Sequence, residues 1–410
     1  MVATARSKGR IAWCISPVLS GVTTVYRVVG GGLRERGWEI LGVTAGGEAS
    51  AKVDSRFAGD DLEVLAPGNP NVCLAAAEFV RWVGERKIDL VFCAEQMFTL
   101  AAAPALPARV KLVTRSGTIT RRSYAMAAAC LSRTSKIIVE TPRQQSDLIR
   151  DWAVPPEKCA VIPGGVEIET FTPGAVRDFQ GSLRLAFLGR LDENQKGVML
   201  LPLIARRLAA SGVEFHLDII GEGGDGDRLR AAFGSANLAD RVTFHGYLPR
   251  TKSIPLLQRA HLLLLPSRYE GHSWALLEAM ACGCVPVVSR IAGGTDFVVE
   301  HGVNGMLCPA GSAADFSLEI EKLSRNRKKL GDFSTAARGT IRDRFSLDRV
   351  VRDHDLVFQE ALVQDPFEYT PIPVSEIRVP KLPGAAWRKL LPQGVKNYVR
   401  TWAERFERSV

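Results

Sequence analysis

Short apolar runs that alternate with helix-length segments, and do so twice over, constrain this chain more than any other feature. The first run, residues 11–16 (IAWCIS), leads through a Pro/Ser/Gly loop at 17–21 into a helix-like stretch that reaches Arg36; Gly37 stops it and WEILGV follows. Similar runs recur at 88–93, 110–114, 136–139 and 159–162. They are apolar nearly throughout rather than at every second position, as parallel strands buried on both faces require. After the turn-rich IPGGVEIETFTPG the pattern restarts with LRLAFLG, residues 213–220, RVTFHG, HLLLLP and VPVVS. The expectation is an α/β chain of two Rossmann-like doubly wound domains facing a cleft, with ligands held outside the carboxyl ends of the strands.

A length of 410 residues agrees with two domains, since single cores stop growing well before that size. The expected boundaries are 1–175, 176–365, and a tail at 366–410. The tail opens proline-rich (PFEYTPIPVSEIRVPKLPG) and ends in a basic helix expected to pack back on the first domain, with a membrane-surface or partner-binding role as the alternative. From Glu376 onward eight Lys/Arg stand against three Glu, a local net charge of +5. With 46% hydrophobic and 24% charged residues the composition is that of a soluble globular protein. The longest apolar stretch, 97–108, is short and broken by Pro104 and Pro107, and residues 1–10 run into the first strand without a signal-like apolar segment. The expected location is the cytoplasm, with peripheral contact at the inner face of the cell membrane as an option. The eight cysteines show no paired zinc-site spacing and read as reduced, mostly buried thiols. The net charge of +9 comes without a basic, aromatic-interleaved stripe, so an anionic substrate or membrane surface fits it better than nucleic acid.

Residues 261–309, HLLLLPSRYEGHSWALLEAMACGCVPVVSRIAGGTDFVVEHGVNGMLCP, carry the chemistry. Glu270, Gly271, His272 and Ser273 sit in a loop entering a helix at 274–282, whose first N–H groups and positive dipole end suit a phosphate. Gly271 lets the backbone come close. Seven residues separate Glu270 from Glu278, one carboxylate in the loop for sugar hydroxyls and one inside the helix for both hydroxyls of a ribose. With the flanking strand and the Ala-Cys-Gly-Cys-Val-Pro turn, this segment resembles the E-x7-E signature of the retaining GT-B glycosyltransferases (glycosyl transferases group 1, family 4). The resemblance implies that Glu270 contacts the transferred sugar, Gly271, His272 and Ser273 the sugar and diphosphate, and Glu278 the ribose.

Upstream, AFLGRLDENQKGVMLL places Arg190 at the end of a strand and Lys196 six residues on, similar to the family's Gly-Arg…Lys-Gly element. Two cations there can clamp a diphosphate and stabilise the charge that builds as the sugar bond breaks, in the place of a divalent metal. VIPGGVEIETFTP resembles the family's linker, although Gly164 stands where an asparagine is usual. RVTFHGYLPR resembles a strand whose exit loop faces the base, which makes Gly246, Tyr247 and Leu248 candidate base contacts. Gly21 would lie in the turn near the donor phosphates. Many relatives carry a histidine after the strand matching 111–114; here that loop reads RSGT and all six histidines fall in the second half. Arg115, Ser116 and Thr118 take its place as acceptor-loop candidates.

Two patterns compete. GEGGDG at 221–226 fits G-x-G-x-x-G between a strand and a helix, but the next strand lacks the acid a dinucleotide site needs, so an NAD-dependent oxidoreductase is a remote alternative. Asp225-Gly226-Asp227 and Asp353-His354-Asp355 match D-x-D, yet the first reads as a helix start and the second as part of an amphipathic helix; no metal and no cofactor are expected. A sugar-nucleotide hydrolase or epimerase of the same fold, or a non-catalytic nucleotide-sugar binding protein, remains open on fold grounds. The function implied by the resemblance is transfer of a sugar, with retention, from a UDP- or GDP-linked donor to a saccharide or lipid-linked acceptor in polysaccharide, lipopolysaccharide or glycolipid synthesis.

Overall fold

The computed structural model describes residues 7–16, 21–47, 62–173, 179 and 181–382. They form two compact units, one of residues up to Pro163 together with those from Leu347 onward, the other Gly164–Ser346.

The first unit is built on seven parallel strands, β1 (Gly9–Cys14), β2 (Trp38–Ala45), β3 (Leu62–Leu65), β4 (Leu90–Ala94), β5 (Lys111–Ser116), β6 (Thr134–Val139) and β7 (Cys159–Val161), in the order β3-β2-β1-β4-β5-β6-β7. Strands β4 and β5 are buried along their whole length; β4, LVFCA, reads as an unbroken apolar run, whereas β5, KLVTRS, also buries Lys111, Thr114, Arg115 and Ser116. Capping side chains set where helices begin. Asn71 accepts from the N–H groups of Cys73 and Leu74 ahead of helix Val72–Glu85, and Thr141 forms a capping box with Gln144 before helix Pro142–Trp152.

The second unit holds six parallel strands, β8 (Leu183–Leu188), β9 (Phe215–Ile220), β10 (Val242–Gly246), β11 (Leu262–Leu265), β12 (Val285–Ser289) and β13 (Met306–Cys308), ordered β10-β9-β8-β11-β12-β13. Strand order reverses between β8 and β11, so their carboxyl ends flank the crevice where ligands bind in doubly wound sheets. Its core, from Val166 to Phe345, includes Phe187, Leu264, Leu277, Val287 and Phe316, all essentially inaccessible.

The sequence reading misses β3 and β13, each an edge strand of four residues or fewer. The domain limits also differ from the expected 175 and 365. The chain enters the second unit at Gly164, and helix Leu347–Val363 belongs to the first. That helix buries Val350, Val351, His354, Val357, Phe358 and Ala361 on one face. Phe358 packs edge-on against Trp13, Trp38 and Phe92, and Gly32 leaves room for Val351, whose Cγ2 lies 2.7 Å from where a Cβ would stand. The proline-rich stretch follows on the same unit. Lys111 Nζ donates to the carbonyls of Gln364 and Asp365, both at 2.6 Å, Arg133 lies over the rings of Phe367 and Tyr369, and Ile377 is buried. The expected basic helix at 385–410 lies outside the described residues.

All eight cysteines are free thiols. Among the described residues no helix is long and apolar enough to cross a membrane.

Candidate active site

Three strand-end loops of the second unit are laced together by backbone contacts. Gly189 N donates to Ile220 O, Leu191 N to Glu222 O, Asp225 N to Leu191 O, and Gly221 N to Gly246 O, all within 3.1 Å. The glycines of the GEGGDG segment make this possible. A Cβ on Gly221, whose φ is +140°, would stand 1.9 Å from Gly189 O, and one on Gly223 2.3 Å from Leu191 O. These glycines thus have a packing reason that involves no dinucleotide. Asp225 does not cap the helix it precedes; its carboxylate accepts from Glu193 N at 2.8 Å, anchoring the turn that bears Lys196.

On the other side of the reversal, the loop after β11 is fastened to the same turn. Arg268 N donates to Gln195 O at 2.8 Å, and the Arg268 guanidinium is ion-paired with Glu193. Gly197, at φ +61°, fits under Pro266, where a Cβ would meet the carbonyl oxygen at 2.3 Å. Gly294, from the loop after β12, supports Glu270 from behind, its missing Cβ lying 2.8 Å from Glu270 O.

This scaffold brings Lys196 and Glu270 together. Lys196 Nζ lies 2.5 Å from Glu270 Oε1, and Ser267 Oγ donates to the same oxygen at 2.7 Å; Glu270 is 4% exposed. A buried ion pair of this kind is a weak stabiliser, because desolvating both charges offsets their attraction. Its presence at the reversal point speaks for binding chemistry instead. Glu278 sits a helical turn inside Trp274–Ala281, 8% exposed, and accepts from Arg250 Nη2 at 2.6 Å. Burial pushes its carboxyl above the usual range, and the Arg250 charge and hydrogen bond oppose that rise. Ser273, at the N-cap, makes no side-chain cap, and its buried Oγ has no hydrogen-bond partner among the described residues. Arg190 is exposed and donates to Gln195 Oε1 at 2.6 Å.

The other candidates are placed differently. His272 is buried with its ring packed near Phe345 and Phe297, at centroid distances of 5.5 and 6.1 Å. Gly164, the position of the missing asparagine, explains part of that packing, because a Cβ there would come within 3.0 Å of both His272 and Trp274. Gly246, the last residue of β10, has φ +65°, and Tyr247, 43% exposed with its N–H donating to Glu222 Oε1, opens the loop that continues through Leu248. Gly21 is the first residue of helix Gly21–Glu35 rather than a loop residue, and the loop before it lies outside the described residues.

In the first unit, Arg115 is turned inward onto Glu140, both under a tenth exposed. Ser116 is buried against Ser123 Oγ at 2.7 Å. Only Thr118 of the three acceptor-loop candidates is half-buried, hydrogen-bonded to Thr120. Sequence reasoning did not single out Glu95, which follows β4 at φ +57° and accepts from Gly117 N at 2.9 Å and Ser123 Oγ at 2.5 Å. Strained backbone at an acid next to a strand end is the kind of feature that clusters at functional sites. Ser267, Arg250 and Arg268 were also missed, although all three stand inside segments quoted for other reasons.

Comparison with known proteins bears on this arrangement. Residues 19–170 match the family model described as Glycosyltransferase Family 4, and residues 175–340 the model described as Glycosyl transferases group 1. A putative colanic acid biosynthesis glycosyltransferase, WcaL of Salmonella typhimurium, is 32% identical over 211 residues, 50% of this chain and 52% of that protein. The amylovoran biosynthesis glycosyltransferase AmsK of Erwinia amylovora is 32% identical over 198 residues, 47% of this chain and 48% of its own. The chain thus spans about half the length of the curated relatives it matches. Among solved structures, the Anabaena protein Alr3699/HepE in complex with UDP-glucose superposes with a TM-score of 0.72 at 19% identity, over 85% of this chain and 99% of that one. Two parallel Rossmann-like sheets and the likeness to that solved structure give the chain the GT-B fold, and each half matches a glycosyltransferase family model.

Proposed function

We propose that the chain transfers a sugar from a nucleotide-sugar donor to a hydroxyl of a saccharide or lipid-linked acceptor, with retention of anomeric configuration. The observation that carries the reading is the buried Lys196–Glu270 pair at the strand-order reversal, with Glu278 a short way along the adjoining helix. In this reading Glu270 receives sugar hydroxyls, Lys196 and Arg190 face the diphosphate, and Glu278 receives the ribose. The C1–phosphate bond breaks, the acceptor oxygen bonds to C1, and the departing phosphate takes the acceptor proton. Lys196 and Arg190 stabilise the negative charge left on that phosphate, a role that needs no divalent metal. The relatives named for colanic acid and amylovoran biosynthesis support a place in surface polysaccharide synthesis, and the Anabaena structure with UDP-glucose supports a UDP-linked donor.

The test is a screen of UDP-, GDP- and ADP-sugars for nucleotide release, without and with candidate acceptors, in the presence of EDTA. Release from one donor class, stimulated by an acceptor and unaffected by EDTA, is the expected result. Acceptor-independent release throughout would favour a sugar-nucleotide hydrolase, and loss in EDTA with recovery in manganese would overturn the metal-free clamp.

A further inference from the structure

Helix Trp274–Ala281 reads WALLEAMA, and six of its eight residues are buried. Glu278 is the only charged group on it, and such a group in an apolar helix tends to lose its charge unless a partner holds it. The partner comes from another loop. Arg250 opens helix Arg250–Arg259 directly after the exit loop of β10, and its Nη2 meets Glu278 Oε1 at 2.6 Å. The guanidinium is itself held in place, 5.4 Å over the ring of Phe171 and with Nη1 3.9 Å from Glu167 Oε2.

We propose that Arg250 is a positioning residue of the donor site, acting through Glu278 to keep its carboxylate charged and aimed at the two hydroxyls of a ribose. The inference rests on the nucleotide-sugar reading above, and it adds a residue that the E-x7-E signature does not contain. The neighbourhood leaves Arg250 as the group that does this. Glu167, on the segment ahead of β8, is a second negative charge and opposes ionisation of Glu278. Arg338, on helix Arg327–Arg344, spends its Nη1 on the carbonyls of Phe171 and Ala281. Strands β11 and β12, LLLL and VPVVS, offer no ionisable side chain.

The burial of Glu278 then supplies a signature that simple packing would not. Without the cation, burial and the charge of Glu167 act on the carboxyl unopposed and raise its protonation range further. A protonated Glu278 is a poorer acceptor, so the defect should be worst at low pH and fade as pH rises.

The experiment compares wild type, Arg250→Met, Arg250→Lys and the double variant Arg250→Met/Glu278→Gln, all as full chains. The Met variant keeps an apolar stem against Phe171. The probe is whichever of UDP, GDP or ADP binds wild-type protein most tightly by calorimetry. Relative to wild type at the same pH, Arg250→Met is expected to bind on the order of tenfold more weakly at pH 6, with the deficit shrinking by pH 8.5. Arg250→Lys should retain most of the affinity, and the double variant should stay weak at both pH values. An equal deficit of Arg250→Met at both pH values would overturn the proposal.

A ligand-free urea cycle on the same substitutions separates the two possible failures. Coupling between positions 250 and 278 that is larger at pH 8.5 than at pH 6 supports the charge-holding role, and additivity overturns it. If no nucleoside diphosphate binds wild-type protein, the donor reading and the ribose part of this inference fall together, while the cycle still decides whether Arg250 holds the charge on Glu278.

Discussion

Lys196 and Glu270 stand 74 residues apart in the chain, on loops that leave different strands, yet their charged ends meet at 2.5 Å. Lys196 comes from a one-turn helix too short to hold itself, kept in place by Asp225, Arg268 and the close fit of Gly197 under Pro266. If Lys196 stabilises the leaving diphosphate, removing its ammonium acts on the transition state more than on donor binding. Lys196→Ala is therefore expected to lower kcat by roughly a hundredfold, on the order of 3 kcal/mol, with a smaller change in KM. Steady-state kinetics on the responsive donor check this, with Glu270→Gln as control for the carboxylate left unpaired; full turnover in Lys196→Ala would end the clamp idea. Lys196, Glu270 and Glu278 were singled out in the sequence because the Gly-Arg…Lys-Gly element and the E-x7-E spacing are local patterns. Ser267 and Arg250 were not, because what makes them matter is the partner each meets across the fold. Arg115 shows the reverse: the sequence reads as placing it in a loop, whereas it is the fifth residue of β5 and is buried against Glu140.

At the scale of elements, helix Leu347–Val363 has an apolar stripe that its own sequence displays, and the sheet it covers is a non-local choice that the stripe does not encode. The same holds for β3 and β13, whose four and three residues carry too little pattern to separate from loop. The helix brings His354 into the first unit, where Nδ1 bonds to Val350 O at 2.8 Å and the ring meets Phe92 and Phe358. Burial pushes its pKa down to about 4, with the backbone bond to Val350 opposing and the charge of Arg115 adding to the fall. The unfolded chain, titrating near the ordinary value, then binds the proton more readily than the folded one. Stability from this group is present above about pH 6.5 and is lost as pH falls from there towards 4, by about 3 kcal/mol in total. Urea unfolding of wild type and His354→Phe at pH 7.5 and pH 4.5 measures it: the variant is expected to lose markedly less stability between the two, and parallel losses would refute the assignment.

The molecule as a whole is two units whose chain path is not simply first half and second half. The first is closed by residues that come after the second is complete, so the alternation of strands and helices located both sheets while misplacing their boundary. Stopping the chain after Ser346 should uncover Trp13, Trp38 and Phe92, which Phe358 now covers. The truncated chain is expected to bind 8-anilinonaphthalene-1-sulfonate and to lose the cooperative unfolding of its first unit while Gly164–Ser346 still unfolds cooperatively; two unchanged transitions would contradict that division. The central claim, proposed above, is that in the second unit loops from both sides of a strand-order reversal form a nucleotide-sugar site around Lys196, Glu270 and Glu278. Calorimetric titration of UDP, GDP and ADP into the intact chain and into Glu278→Ala tests it most directly. The account predicts that at least one of the three binds the wild-type chain and that Glu278→Ala weakens it by about tenfold or more, roughly 1.4 kcal/mol; no binding by any of them, or equal binding by both proteins, would contradict it.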